Sequence, residues 1–263
     1  MASQRVRHGG PVAQADPTTS SARFDTLDAL RGTAMVWMTV FHFCFDLNHF
    51  GYLRQNFYHD PFWTWQRTAI VSLFLLCAGM GQAVALAGQQ SWPRFWRRWA
   101  QIAGCAVLVS AGSYWMYPNS FIYFGVLHGM AVMLLIARLT ASWGRWLWPL
   151  GAVAIAAPWL ALQVLDGWGV AETFNQKSLN WLGLITRRPV TEDYVPLLPW
   201  LGVMWWGVAA GTALLQAKPA FLARELGGLG RGLACLGRWS LSYYMLHQPV
   251  MLGALMLFGA LAK

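Results

Sequence analysis

The chain has 263 residues, 57% hydrophobic and only 11% charged, with a formal net charge of +9. Soluble domains carry about 25% charged residues, so this composition excludes an ordinary soluble domain and points to a membrane protein. The basic excess does not mark a nucleic-acid footprint, because its placement along the chain follows membrane topology.

Residues 1–22 are polar and lack an apolar core, which predicts a disordered cytoplasmic tail rather than a cleaved signal peptide. Residues 23–263 then read as one domain. Seven apolar spans follow, at roughly 32–50, 66–88, 100–117, 120–138, 146–165, 200–217 and 240–261. Each is close to the length of about 20 residues that a bilayer core requires. With the N-terminus in the cytoplasm, 13 of the 19 basic residues fall on the inner side. The positive-inside rule therefore predicts a polytopic all-α bundle of about seven transmembrane helices with a cytoplasmic N-terminus.

The first span, "DALRGTAMVWMTVFHFCFDLNHF" (28–50), places Asp28 and Arg31 at its inner end and His42, Asp46 and His49 further along. The i, i+4, i+7 spacing of the last three puts them on one helix face. A carboxylate one turn from an imidazole orients it as a general base, so Asp46 is expected to support His42. Asp28 and Arg31 are spaced to pair across one turn, either as an interfacial anchor or as a contact for a phosphorylated ligand. Next comes "GYLRQNFYHDPFW" (51–63), an outer segment rich in aromatic and polar residues. On the inner side, "SWPRFWRRWAQ" (91–101) reads as an interfacial amphipathic turn, where Arg94 and Arg98 anchor or add to the same contact.

Histidines also stand in later spans. His128 lies in the fourth, and His247 with Gln248 beside it in the seventh. At a rise of about 1.5 Å per residue, His42, His128 and His247 come about 16, 15 and 13 Å from the inner edge. That predicts a shared polar site near mid-membrane. Ionisable residues in spans are costly and mark functional paths by default, the plainer reading being hydrogen-bonded glue between helices. Between the fifth and sixth spans, the segment 166–200 is too long for a turn and reads as an ordered lid or a half-inserted element. The four cysteines, Cys44, Cys77, Cys105 and Cys235, show no CxxC spacing and support neither a disulfide framework nor a thiolate metal site.

Four strings, "RFDTLDALRGTAMVWMTVFH" (23–42), "FGVLHGMAV" (124–132), "DYVPLLPWLGV" (193–203) and "LGRWSLSYYMLHQPV" (236–250), together resemble the heparan-alpha-glucosaminide N-acetyltransferase catalytic domain family in its compact bacterial form. The resemblance covers most of the chain after residue 22. It implies a multi-pass acyltransferase of the bacterial cytoplasmic membrane, taking an acetyl or other acyl group from cytoplasmic acyl-CoA to an amino or hydroxyl group of a sugar or cell-envelope glycan. Arg31 and His42 match the Arg–ten residues–His pattern of the related acyltransferase-3 proteins. By resemblance His42 is the base and Arg31 helps to hold the CoA end, with Asp28, Arg94 and Arg98. In the glucosaminide enzymes an essential histidine lies just past the first helix, which here is His59. Asp193, Tyr194 and Trp200 would form the acceptor side, with His128, Tyr243, His247 and Gln248 lining it. Acetyl-CoA is then the donor, no metal is expected, and the partners are the bilayer, acyl-CoA and a glycan acceptor, with a homodimer left open. The rival readings are a proton-coupled transporter or flippase and a haem-binding membrane protein using the three histidines.

Overall fold

The computed structural model describes residues 24–165 and 167–261; the expected tail, 1–22, lies outside them. Among the described residues, seven long helices overlap the expected spans, the fourth starting later than expected: α1 (Asp25–His49), α2 (Pro61–Ala87), α3 (Trp92–Met116), α4 (Val126–Thr140), α5 (Leu147–Leu165), and, after a short α6 (Ala171–Asn175), α7 (Leu197–Ala217). Two short helices, α8 (Pro219–Leu222) and α9 (Gly228–Arg238), precede α10 (Ser240–Leu261), the last of the seven. Among the described residues, four helical stretches are both long and apolar enough to cross a membrane: α2, the α4–α5 run, α7 and α10. α1 and α3 are also long, but α1 carries Asp25, Asp28, Arg31 and Asp46, and α3 carries Arg94, Arg97 and Arg98. Their charges gather mostly at one end, the pattern of helices that must stand with one end in water.

Local chemistry sets the helix ends. Asp60 caps α2 by accepting the Phe62 N–H at 2.8 Å, with Pro61 at the first helical position, where a missing N–H costs nothing. The α4–α5 junction is a tight turn through residues 141–146, with Gly144 at φ +57°, a backbone state other residues rarely adopt.

The bundle centres on α7, which packs against α2, α4 and α5. α2 and α7 meet almost backbone to backbone: a Cβ on Gly79 would lie 2.2 Å from the Met204 carbonyl oxygen, and one on Gly207 would lie 2.5 Å from that of Leu76. Small residues allow such approach where no water-driven hydrophobic effect is available between helices. α1 and α9 use the same device at Gly32 and Gly237. The main core gathers Leu75, Met133, Leu147, Met204 and Val208, all fully buried. A second cluster of Met35, Met38, Phe41, Phe57 and Ile70 lies between α1, α2 and the 50–60 loop. Large apolar side chains such as Trp115 and Val153 point outward, as expected for surfaces that face lipid.

The segment between α5 and α7 is ordered. Its backbone pairs with the α3–α4 connection through a bridge between Phe124 and Tyr194 and through the Glu192 N–H donating to the Ser120 carbonyl at 2.8 Å. Thr191 Oγ1 adds a bond to the Phe121 carbonyl at 2.9 Å.

Candidate active site

α1 and α10 cross so that two imidazoles meet. His42 Nδ1 lies 2.9 Å from His247 Nε2, with the rings near parallel at 13° and 5.1 Å apart. The other nitrogen of His247, Nδ1, lies 2.7 Å from the Tyr244 carbonyl oxygen. A carbonyl only accepts, so His247 carries its proton on Nδ1 and its Nε2 is the acceptor when the ring is neutral. His42 must then donate through Nδ1. That leaves the lone pair of the neutral pair on His42 Nε2, which is the state a general base needs.

His247 is buried while His42 is only partly so. The Tyr243 ring lies parallel to that of His247, 5.8 Å away, and its hydroxyl is 2.7 Å from Thr39 Oγ1. Thr39 also donates to the Met35 carbonyl at 2.8 Å, so Tyr243 is the donor to Thr39.

Asp46, buried at 2% exposure, does not bond the neighbouring His42. Its Oδ1 accepts from Gln248 Nε2 at 2.7 Å, and its Oδ2 has no partner. The carboxylate thereby fixes which way the Gln248 amide points. Gln248 lies against His42, and its Oε1 is buried without a partner. The order is carboxylate, amide, imidazole, with Gln248 interposed where direct contact was expected.

The remaining predicted residues fall elsewhere. His128 sits in the first turn of α4 rather than at mid-helix: its Nδ1 accepts the Gly125 N–H at 3.2 Å and its Nε2 lies 3.0 Å from Ser110 Oγ, which donates to the Ile122 carbonyl. Both ring nitrogens are thus engaged in tying α3 to the start of α4. Asp193 Oδ2 accepts the Val126 N–H at 2.7 Å, at the same helix start. Burial pushes the Asp193 carboxyl above its ordinary pKa, opposed by the Val126 N–H and by the positive charge of Arg67. Tyr194 donates to the Asn180 carbonyl at 2.6 Å, and burial raises its phenol. Trp200 packs against the main core. His59 is exposed on the 50–60 loop, and no hydrogen bond joins its ring to His42.

At the other end of the bundle, Arg31 Nη1 donates to Asp28 Oδ1 at 2.9 Å. Both line a cavity of about 1040 Å³ bounded by α1, α2, α3, α4 and α10. Arg98 and Arg238 share its polar end, with Gln82 and Gln101; Arg94 does not line it. Leu127, Met130 and Met245 line its deeper part. Neither His42 nor His247 forms part of the wall. Tyr244 does, with its ring 5.7 Å from that of His247, so it is common to the cavity and the histidine pair. The nitrogens of His42 and His247 that face each other are too close to flank an iron, whose ligating nitrogens stand about 4 Å apart.

The role of the Tyr244 carbonyl was missed in the sequence, though one signal was present. Pro249 inside α10 frees the Met245 carbonyl, one residue past the one His247 uses, so it marks only the neighbourhood of this contact.

The family model described as heparan-alpha-glucosaminide N-acetyltransferase, catalytic, matches residues 23–249. The chain is 29% identical over 198 residues to an apolipoprotein N-acyltransferase of Azotobacter vinelandii, a match covering 68% of this chain and 35% of that protein. The chain thus spans about a third of the relative it matches. No solved structure matches it.

Proposed function

The chain belongs to the heparan-alpha-glucosaminide N-acetyltransferase catalytic family, and from that footing we propose that it transfers an acyl group from acyl-CoA to an amino or hydroxyl group of a sugar or cell-envelope glycan, with His42 as the base. It is a membrane acyltransferase by family and by its apolar helices. In the proposed arrangement the Arg31 end faces the cytoplasm of a bacterial inner membrane, and the acceptor arrives from the His49 end. The acyltransferase name of the Azotobacter relative supports amide formation as one form of the reaction.

The observation that carries this reading is the hydrogen-bonded row from His42 through His247 to the Tyr244 carbonyl. The acceptor N–H or O–H loses its proton to His42 Nε2 as its nitrogen or oxygen attacks the thioester carbonyl. The tetrahedral intermediate expels the CoA sulfur, and the His42 imidazolium returns the proton to that thiolate. The products are an amide or ester and free CoA thiol. Gln248, held by Asp46, offers its unpaired oxygen to the imidazolium while the ring carries its second proton. A base so placed contributes about 10²- to 10⁴-fold in rate.

CoA would enter the cavity with its phosphates near Arg31, Arg98 and Arg238, since guanidinium groups recognise phosphate well. Tyr244 then stands between thioester and base, and its ring turns aside for transfer. The test is release of CoA thiol from acetyl-CoA by membranes carrying the wild type, His42→Ala or His59→Ala. Loss with His42→Ala alone supports the assignment. Full activity in both variants removes the histidine base from the mechanism.

A further inference from the structure

Resting on the acyl-CoA reading, we infer that the donor's acyl group is a long alkyl chain that leaves the cavity sideways, between α3 and α10, into the bilayer. The cavity's charged end and its apolar flank lie at different depths. Arg98 lies in the second turn of α3 and Arg238 closes α9, and Leu108 on α3 and Leu246 on α10 also line the cavity. Ten residues of α3 separate Arg98 from Leu108, about 15 Å of helix, and Leu246 lies six residues, about 9 Å, beyond the start of α10. Leu246 stands about half a turn beyond Tyr244, whose ring lies against the histidine pair and beside which a thioester would approach it.

Both leucines are also open to the outside, at 63% and 62% exposure. A side chain that lines a cavity and faces lipid at once belongs to a gap in the wall. α3 and α10 touch only sparsely. Gly104, one turn before Leu108, widens the gap: a Cβ there would meet nothing within 4 Å. An acetyl group would leave this apolar passage empty, whereas an alkyl chain fills it and continues into hydrocarbon. The anionic head and the chain then match the two ends of the space, the first against guanidinium groups and the second against leucine, methionine and lipid.

The reaction balances as for any thioester: the long-chain acyl carbon forms its bond to the acceptor, the carbon–sulfur bond breaks, and CoA leaves as the thiol. Release of CoA thiol by native membranes is measured with acetyl-, octanoyl- and palmitoyl-CoA, for the wild type and for Gly104→Trp. The expectation is a kcat/KM about tenfold or more higher for octanoyl- than acetyl-CoA, in line with transfer of a few methylenes out of water. In Gly104→Trp that preference collapses at least tenfold while acetyl-CoA is still cleaved, which also reports that the variant is folded. Should Gly104→Trp be inactive with every donor, Leu108→Trp and Leu246→Trp, at positions already bulky and lipid-facing, are read in its place. A preference for acetyl-CoA, or a chain-length preference that none of these substitutions alters, overturns the inference and leaves the acyltransferase reading standing. Absence of thiol release with all three donors overturns that reading first.

Discussion

The Asp193 carboxylate, from the segment before α7, accepts the Val126 N–H at 2.7 Å and so caps a helix 67 residues away in sequence. Replacing it by alanine leaves the first amide of α4 unpaired and is expected to cost about 1–2 kcal/mol, the usual value of a lost helix cap. Thermal unfolding in detergent measures it.

The same residue gives a pH dependence. Burial raises the folded-state pKa of Asp193 above the unfolded value of about 3.9. Between the two values the folded chain holds more protons than the unfolded one, so stability falls as pH rises through that window. The contribution is complete below the unfolded pKa and gone above the folded one. Asp193→Asn, which keeps an acceptor for Val126, is expected to flatten this part of the stability–pH curve. An identical slope in both proteins would contradict it.

In the proposed mechanism His247 acts through His42 and is a positioning residue. His247→Phe removes the acceptor that keeps the proton on His42 Nδ1, and the base is then free to present either nitrogen. We expect kcat to fall about 10²-fold, with KM for acyl-CoA little changed, and less loss than from His42→Ala. His247→Gln, which restores an acceptor oxygen, should recover part of the rate. The pH profile of kcat separates this from simple damage to packing, because its acidic limb, set by protonation of the base, shifts when the partner of the base changes.

Gln248→Leu strands the Asp46 carboxylate, which has no other hydrogen-bond partner. The cost is that of a buried group left unsatisfied, about 1–3 kcal/mol or more for a charge. Asp46→Asn combined with Gln248→Leu should be less harmful than Gln248→Leu alone, which a comparison of melting temperatures would register.

Arg31→Gln is expected to raise KM for acyl-CoA about tenfold, the weight of one charge-assisted hydrogen bond, with kcat nearly unchanged. Arg31→Lys should recover only part of that loss, since an ammonium lacks the paired donors of the fork. A fall in kcat with constant KM would move Arg31 away from donor binding.

Much of the architecture was legible because periodicity and charge placement are local properties. The seven long helices overlap the seven apolar spans, and the pairing of Asp28 with Arg31 follows from their spacing. What failed to transfer was partner choice between helices. The spacing of His42 and Asp46 suggests contact along α1, yet the carboxylate reaches across to Gln248 on α10. His128 was placed at mid-span because apolar character extends ahead of Val126, whereas the helix begins only where Asp193 caps it. Neither the crossing of α1 with α10 nor the loop that caps α4 is encoded within a short window of residues. The exposed position of His59 follows from burial of its neighbour Phe57 among Phe41 and Trp63, another relation between distant segments.

The histidine pair joins residues 205 positions apart in the chain. At synthesis rates of about 5–20 residues per second, His42 emerges about 10–40 s before its partner exists. For most of that interval α1 also lacks α9, which closes on it at Gly32 and Gly237. The first helix therefore waits in the bilayer, or at the insertion machinery, with its polar stripe unpaired. A chain truncated before α10 would hold the cavity's arginines on α1 and α3 without an oriented base. On the proposed reading, a chain cut before α10 is expected to be inert toward thioesters.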